Sequence, residues 1–187
     1  EKLFKVTNRI QSEVGRMTEL MNDVLILGRV NSNSIKPDYQ LSDVVVIIKE
    51  ITSKHNDIEL DGRKIKNVIK GNPYPLILDG HLLEHTISNL ISNAFKYSKG
   101  RPAPILTINF ERKRVLISIK DFGIGIPPNE LKNLFQSFYR ASNVNDFPGT
   151  GLGVAIAKEY AELNGGEISV SSKLNEGSEF TLVLKNN

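Results

Sequence analysis

Asn89, Asn93 and Lys96 fall at spacings of four and three, in a segment whose apolar residues Leu83, Ile87, Leu90 and Ala94 keep the same period. On a helix the three polar side chains share one face, opposite the apolar stripe. A carboxamide oxygen is a neutral ligand for Mg²⁺, and a lysine brings a point charge to a phosphate. Alone, the same line is equally the wet face of an amphipathic helix. A second feature is Asp121-Phe122-Gly123-Ile124-Gly125-Ile126-Pro127, directly after an alternating strand pattern. A carboxylate at a strand end accepts an amino proton from a base such as adenine, and the glycines let the backbone approach a flat ligand. Its plain alternative is a tight strand-to-helix turn. A third is Gly149-Thr150-Gly151-Leu152-Gly153 before a helical pattern. Free N–H groups at such a helix start attract phosphate, although a flexible turn has the same composition.

Two familiar phosphate-binding patterns are excluded. GTGLG lacks the G-x-G-x-x-G spacing and follows a polar loop, and no G-x-x-x-x-G-K-[ST] segment occurs. The DFG at 121–123 and VAIAK at 154–158 stand in the wrong order for a Ser/Thr/Tyr protein kinase, and H-R-D is absent.

The elements that position these features can be read from periodicity. Leu3, Thr7, Ile10, Val14, Met17, Met21, Val24 and Gly28 form a heptad seam on a first helix over 1–30, widened by Val6, Leu20 and Leu27. One helix cannot bury that face, and the chain has no second long heptad segment, so a partner helix, self-association or both are expected. Residues 31–42, rich in Asn, Ser and Pro, read as a linker. Asp43 or Ser42 caps a helix to about His55, against the strand preference of Val44–Ile48. Residues 57–70 read as two short strands around Asp61-Gly62. The Asn89 helix spans about 80–98, and strands follow through Phe110 and over 114–120. A short helix begins near Pro128, a polar mobile stretch covers 139–150, and a helix runs over 151–163. Strands at 167–172 and 178–184 close the chain. Interleaved strands and helices imply an α/β sandwich.

Composition narrows the class. The chain has 187 residues, 40% of them hydrophobic and 24% charged, which suits a packed domain rather than disorder. With no cysteine there is no disulfide, thiolate nucleophile or Cys-bound zinc. No apolar run is long enough to span a membrane. A net charge of +3 with mixed signs gives no nucleic-acid surface. Because the sequence starts at Glu1, it reads as a fragment of something longer.

Taken in order, the three polar features resemble the catalytic, ATP-binding region of sensor histidine kinases, in the superfamily shared with gyrase-type ATPases. HLLEHTISNLISNAFKYS (81–98) resembles the N box and DFGIGIP (121–127) the G1 box. LFQSFYR (134–140) resembles the F box, and GTGLGVAIAK (149–158) the G2 box. GGEISVSS and GSEFTLVL (165–172, 177–184) are similar to the closing hairpin, and residues 10–30 to the second helix of the dimerisation and phosphotransfer hairpin.

The resemblance implies an α/β two-layer sandwich, a mixed sheet of about five strands backed by three helices, preceded by a long bundle-forming helix. It divides the chain into a partial dimerisation helix (1–30), a linker (31–42) and an ATP-binding catalytic domain (43–187). ATP and Mg²⁺ are the implied cofactors. Asn93 is the implied Mg²⁺ ligand, with Asn89 beside the phosphates, Lys96 as a phosphate contact and Tyr97 as a pocket aromatic. Asp121 reads the adenine amino group against a wall shaped by Gly123 and Gly125. Residues 135–150 form a mobile lid from which Arg140 reaches the γ-phosphate. Gly149, Gly151 and Gly153, with Thr150 and Leu152, form its hinge and the phosphate-binding helix start. Thr181 lies near the adenine. The implied activity is histidine autophosphorylation, catalysed through Asn93, Lys96 and Arg140. Its implied setting is a homodimer joined through the helix bundle, in the cytoplasm or as the cytoplasmic part of a membrane-anchored receptor, with a response regulator receiver domain as partner.

One departure concerns the phosphoacceptor. His55, His81 and His85 all lack the acidic, basic and proline context the family gives it, so the acceptor is expected upstream of Glu1. His85 shares the polar line four residues before Asn89 and is read as solvated or satisfied rather than as a ligand. A degenerate, dimerising signalling scaffold is the alternative reading. A gyrase-type hydrolase is disfavoured, because that branch places a Glu where this chain has Asn89.

Overall fold

The computed structural model describes residues 2–32, 34–59, 61–145 and 147–186. A long helix α1 (Lys2–Asn31) leads through a short strand β1 (Gln40–Ser42) into α2 (Val44–Ile58). Then come β2 (Lys66–Lys70), β3 (Leu76–Leu78), α3 (Gly80–Tyr97), β4 (Ile105–Glu111) and β5 (Arg114–Lys120). After single 3₁₀ segments at Pro128–Asn133 and Ser142–Val144, α4 (Gly153–Leu163), β6 (Glu167–Lys173) and β7 (Gly177–Lys185) complete the chain.

Five strands form one mixed sheet in the order β2-β4-β5-β7-β6. Only β2 and β4 run parallel, and α3 lies in the crossover that such a pair requires. The other pairs are antiparallel. Alternation along the strands sends Leu106, Ile108, Ile117, Ile119, Leu182 and Leu184 to one face. There they meet Ile48 and Ile51 of α2, Leu83, Ile87 and Leu90 of α3, and Ala157 and Ala161 of α4. This is the expected two-layer sandwich of five strands and three helices.

The β-branched start of α2 is helical because two influences outweigh local strand preference. The Asp43 carboxylate accepts from the Val45 and Val46 amides at 2.8 and 3.2 Å. Val44, Ile48 and Ile51, at helical spacing, are fully buried.

Two expectations need correction. The stretch read as a hairpin over 57–70 begins as the end of a helix: α2 continues through Ile58, and the Glu59 amide closes it on the His55 carbonyl. The Asn56 side chain accepts from the Ile65 amide at 2.8 Å, and Arg63 donates to the Phe95 and Ser98 carbonyls. The loop is therefore pinned to the C-terminus of α3 and leaves only β2 as strand. Leu60 lies outside the described residues. The stretch read as linker ends in β1, which pairs antiparallel with β3.

Asp79 joins these parts. It is the N-cap of α3, with Oδ1 accepting from the His81 and Leu82 amides and Oδ2 from the Asp38 amide at 2.8 Å. Its backbone N–H and carbonyl both pair with the Asn164 carboxamide beyond α4. Asp79→Ala removes a cap and leaves the Asp38 amide without its acceptor. It is expected to cost about 2–4 kcal/mol, read as a lower urea midpoint at unchanged slope.

Candidate functional site

Asp121 follows β5 directly, and its amide extends the β5–β7 ladder by donating to the Ser178 carbonyl at 2.8 Å. The G1 turn, the lid, α4 and β6 are all inserted between these two neighbouring strands. The G1 turn, the lid and the start of α4 line a cavity of about 280 Å³ together with α3 and the β5–β7 end.

On α3, Asn89, Asn93, Lys96 and Tyr97 all line this cavity, so the polar line in the sequence is its floor. Lys96 Nζ sits 4.8 Å from the Tyr97 ring centre. A Cβ added at Gly149 would lie 2.6 Å from that amine, so the hinge glycine is the space the lysine occupies. Gly153 opens α4 opposite Asn89 and Asn93, where an added Cβ would lie 3.6 Å from Asn89 Oδ1.

Asp121 also lines the cavity and is only 5% exposed. Its Oδ1 accepts from the Gly123 amide at 2.8 Å. Burial raises its pKa above the ordinary carboxylate value, opposed by the Gly123 and Ser178 amides. Gly125 holds φ +63°, and a Cβ there would lie 2.1 Å from the Lys173 carbonyl oxygen, so this turn admits only glycine.

The lid is tied to the body at three points. Glu130 accepts from the Ser142 amide and hydroxyl and from the Tyr139 hydroxyl, and the Ser142 bonds hold its pKa below the ordinary value. Asn143 donates to the Gly125 carbonyl at 2.9 Å. At the far end the Phe147 ring packs edge-on against Tyr97, 5.3 Å between centres. Asp146 lies outside the described residues.

Several expected site residues stand elsewhere. Thr181 is not at the cavity. It belongs to the strand parity opposite Phe180 and Leu182, and its hydroxyl pairs with Ser118 at 2.9 Å on the other sheet face. Ser178, on the inward parity, lines the cavity beside Asp121 instead. Leu152 is fully buried among Val30, Ile156 and Tyr160, outside the cavity lining. Gly123 lies behind the wall, where any Cβ would meet the Tyr97 carbonyl oxygen at 2.2 Å. Arg140 borders the cavity, but its guanidinium donates to the Gly149, Val144 and Phe147 carbonyls. In this conformation it clasps the lid. His85 packs edge-on against Tyr160 and is absent from the lining.

Alternation in GSEFTLVL was the signal for Ser178, since Phe180 and Leu182 fix which parity faces inward. Asp23 of α1, which also lines the cavity, stands as an acid in an apolar row one turn from Leu20 and Leu27.

No group of three or more Asp, Glu or His able to hold a metal occurs among the described residues. Asn89 and Asn93 instead offer neutral hard-oxygen donors one turn apart, which suits a Mg²⁺ that arrives with phosphates and keeps part of its water.

The profile of the family described as "Histidine kinase-, DNA gyrase B-, and HSP90-like ATPase" matches residues 78–187. The chain belongs to this family. Among curated proteins, the sensor histidine kinase WalK of Bacillus subtilis (strain 168) is 32% identical over 182 residues, 93% of this chain and 29% of its own length. The sensor protein kinase WalK of Staphylococcus aureus is 32% identical over 178 residues, 93% of this chain and 43% of the relative. The chain thus spans less than half the length of these relatives. Two solved structures share the fold. Acinetobacter baumannii histidine kinase AdeS has TM-score 0.78 and 24% identity over all of this chain and 85% of that one. Mycobacterial sensor histidine kinase MprB has TM-score 0.65 and 25% identity over 80% of this chain and 99% of that one. The chain is a histidine kinase-type ATP-binding region.

Proposed function

We propose that this chain is the catalytic part of a protein-histidine autokinase in a two-component signalling system. It transfers the γ-phosphoryl group of ATP to a histidine outside residues 1–187. The observation that carries this reading is one cavity lined both by the buried carboxylate of Asp121 and by Asn93 with Lys96. Such a site fits a base at the buried carboxylate and phosphates at the amide–amine floor. Asn93 would hold a Mg²⁺ ion, which would supply charge neutralisation at the phosphates. Lys96 and the start of α4 orient the phosphate chain, while Arg140 keeps the lid folded over it. Phosphoryl transfer needs mainly positioning and charge stabilisation, so the domain requires no nucleophile of its own.

Residues 1–30 act as part of a homodimer's helix bundle, 31–42 as the connection and 43–187 as the catalytic unit. Ile10, Val14, Met17, Met21 and Val24 of the seam are exposed, Met17 at 69%, which leaves an apolar face for a second copy and a partner helix. The Leu3 side chain lies outside the described residues. A response regulator receiver domain is the downstream partner, and the setting is cytoplasmic. No described helix is long and apolar enough to cross a membrane.

Calorimetric titration with a non-hydrolysable ATP analogue, with and without Mg²⁺, tests the reading. Binding strengthened by Mg²⁺ is expected; a folded sample that binds no nucleotide would favour the scaffold.

A further inference from the structure

Among the described residues that line the nucleotide cavity, all but Asp23 belong to the catalytic unit; Asp23 comes from α1. Its Oδ2 accepts from the Thr150 hydroxyl at 3.0 Å, across 127 positions of sequence. The Thr150 oxygen in turn accepts from the Leu152 amide at 3.2 Å, just ahead of α4. A relay thus runs from a helix-start N–H through a hydroxyl to a carboxylate. Such a terminus favours negative charge, and a phosphate would seek the same place. One turn further along α1, Ile26, Leu27 and Val30 pack on Leu152, Ile156 and Tyr160. The carboxylate is therefore the polar end of an apolar dock between α1 and α4.

The geometry points to an interdomain latch: Asp23 occupies the phosphate end of the cavity, and docked α1 and bound nucleoside triphosphate oppose each other. This inference rests on the nucleotide-binding reading above. Phosphates entering beside Lys96 and the α4 start meet a fixed carboxylate of like charge and compete for the Thr150 hydroxyl. Triphosphate therefore weakens the hold of α1 on α4, and by linkage docked α1 weakens triphosphate binding by the same factor. Adenosine, which carries no phosphate, escapes the conflict. The latch thus couples nucleotide occupancy to the disposition of the helix that leads toward the phosphoacceptor.

The test compares wild type with Asp23→Asn and Asp23→Ala in the 187-residue chain. Calorimetry with a non-hydrolysable ATP analogue plus Mg²⁺, and separately with adenosine, reads affinity. Both variants are expected to bind the analogue at least fivefold more tightly, the lower end of ordinary coupling between sites, with adenosine affinity unchanged. Amide hydrogen exchange gives a second readout. The analogue is expected to speed exchange in residues 20–30 of wild type, and Asp23→Ala to show that fast exchange without ligand. Unchanged or weaker analogue binding in both variants, with wild type binding normally, overturns the latch alone. A shift of equal size for adenosine overturns it too, because the effect would then not lie at the phosphates. Wild type that binds no nucleotide overturns the underlying reading and the latch with it.

Discussion

Asn93→Ala is expected to abolish the gain in affinity that Mg²⁺ gives to an ATP analogue and, under the proposed autokinase function, to slow ATP-dependent transfer to a histidine about 100-fold or more. Asn93 is half-buried on α3 and lines the cavity on the face shared with Asn89 and Lys96. No carboxylate or imidazole cluster among the described residues can replace it as a metal ligand. A Mg²⁺ held mainly through the Asn93 oxygen and the phosphates loses its principal protein ligand when that oxygen is removed, with Asn89 one turn away the nearest neutral donor on α3. Adenosine affinity should not change, since the base end at Asp121 is untouched. That contrast separates loss of the metal from loss of the fold. Wild-type transfer by the variant would remove Asn93 from the metal site. The same geometry bears on hydrolysis. Asn89, one turn earlier, is a carboxamide and offers no base to activate water, so slow ATP consumption without an acceptor is expected of the isolated chain.

How much of this was legible depended on whether local pattern and tertiary burial agreed. The Asn89-Asn93-Lys96 line was readable because the apolar stripe of the same helix fixed its orientation. Asp121 was readable because an alternating strand ended immediately before it. Thr181 was misplaced although the needed signal lay in the same strand: Phe180 and Leu182 set the inward parity, and Ser178 shares it. The continuation of α2 through Ile58 was hidden because Asp61-Gly62 looks like a hairpin turn. What decides that loop is Arg63, which reaches the carbonyls of Phe95 and Ser98 more than thirty positions away. Arg140 illustrates a further limit. Sequence gives a guanidinium in the lid, but whether it meets phosphate or the lid's own carbonyls is a matter of conformation. Asp23 could be seen as an acid in an apolar row, yet its partner Thr150 is visible only once α1 folds back on α4.

Asp121→Asn is expected to erase the preference for adenosine over inosine, at a cost of about 1–3 kcal/mol in adenosine binding. The ionised carboxylate of Asp121 can only accept; Gly123 donates to one of its oxygens, and the Ser178 amide also faces the carboxylate. The other oxygen suits the amino hydrogen of adenine and would face the carbonyl of inosine with no proton between them. An amide in its place can keep the Gly123 bond on its oxygen, but then turns N–H groups toward the ligand. Burial raises the Asp121 pKa, and this carries two consequences with definite sign. First, adenosine favours the ionised form, so its affinity should fall as pH drops through that raised pKa, and the fall should vanish in Asp121→Asn. Second, the folded state holds this proton more tightly than the unfolded chain. Its contribution to stability is therefore present below the unfolded carboxylate value and is lost as pH rises through the folded one. At neutral pH the wild type carries the burden of a buried charge, whereas asparagine carries none. The variant should therefore unfold at an equal or higher urea concentration than wild type while losing base selectivity. A variant that kept the adenosine preference would remove Asp121 from base recognition. One that lost both selectivity and stability would show that the carboxylate serves mainly to hold the β5–β7 end together. Separation of the two losses is what a residue kept for binding, at some expense to the fold, should give.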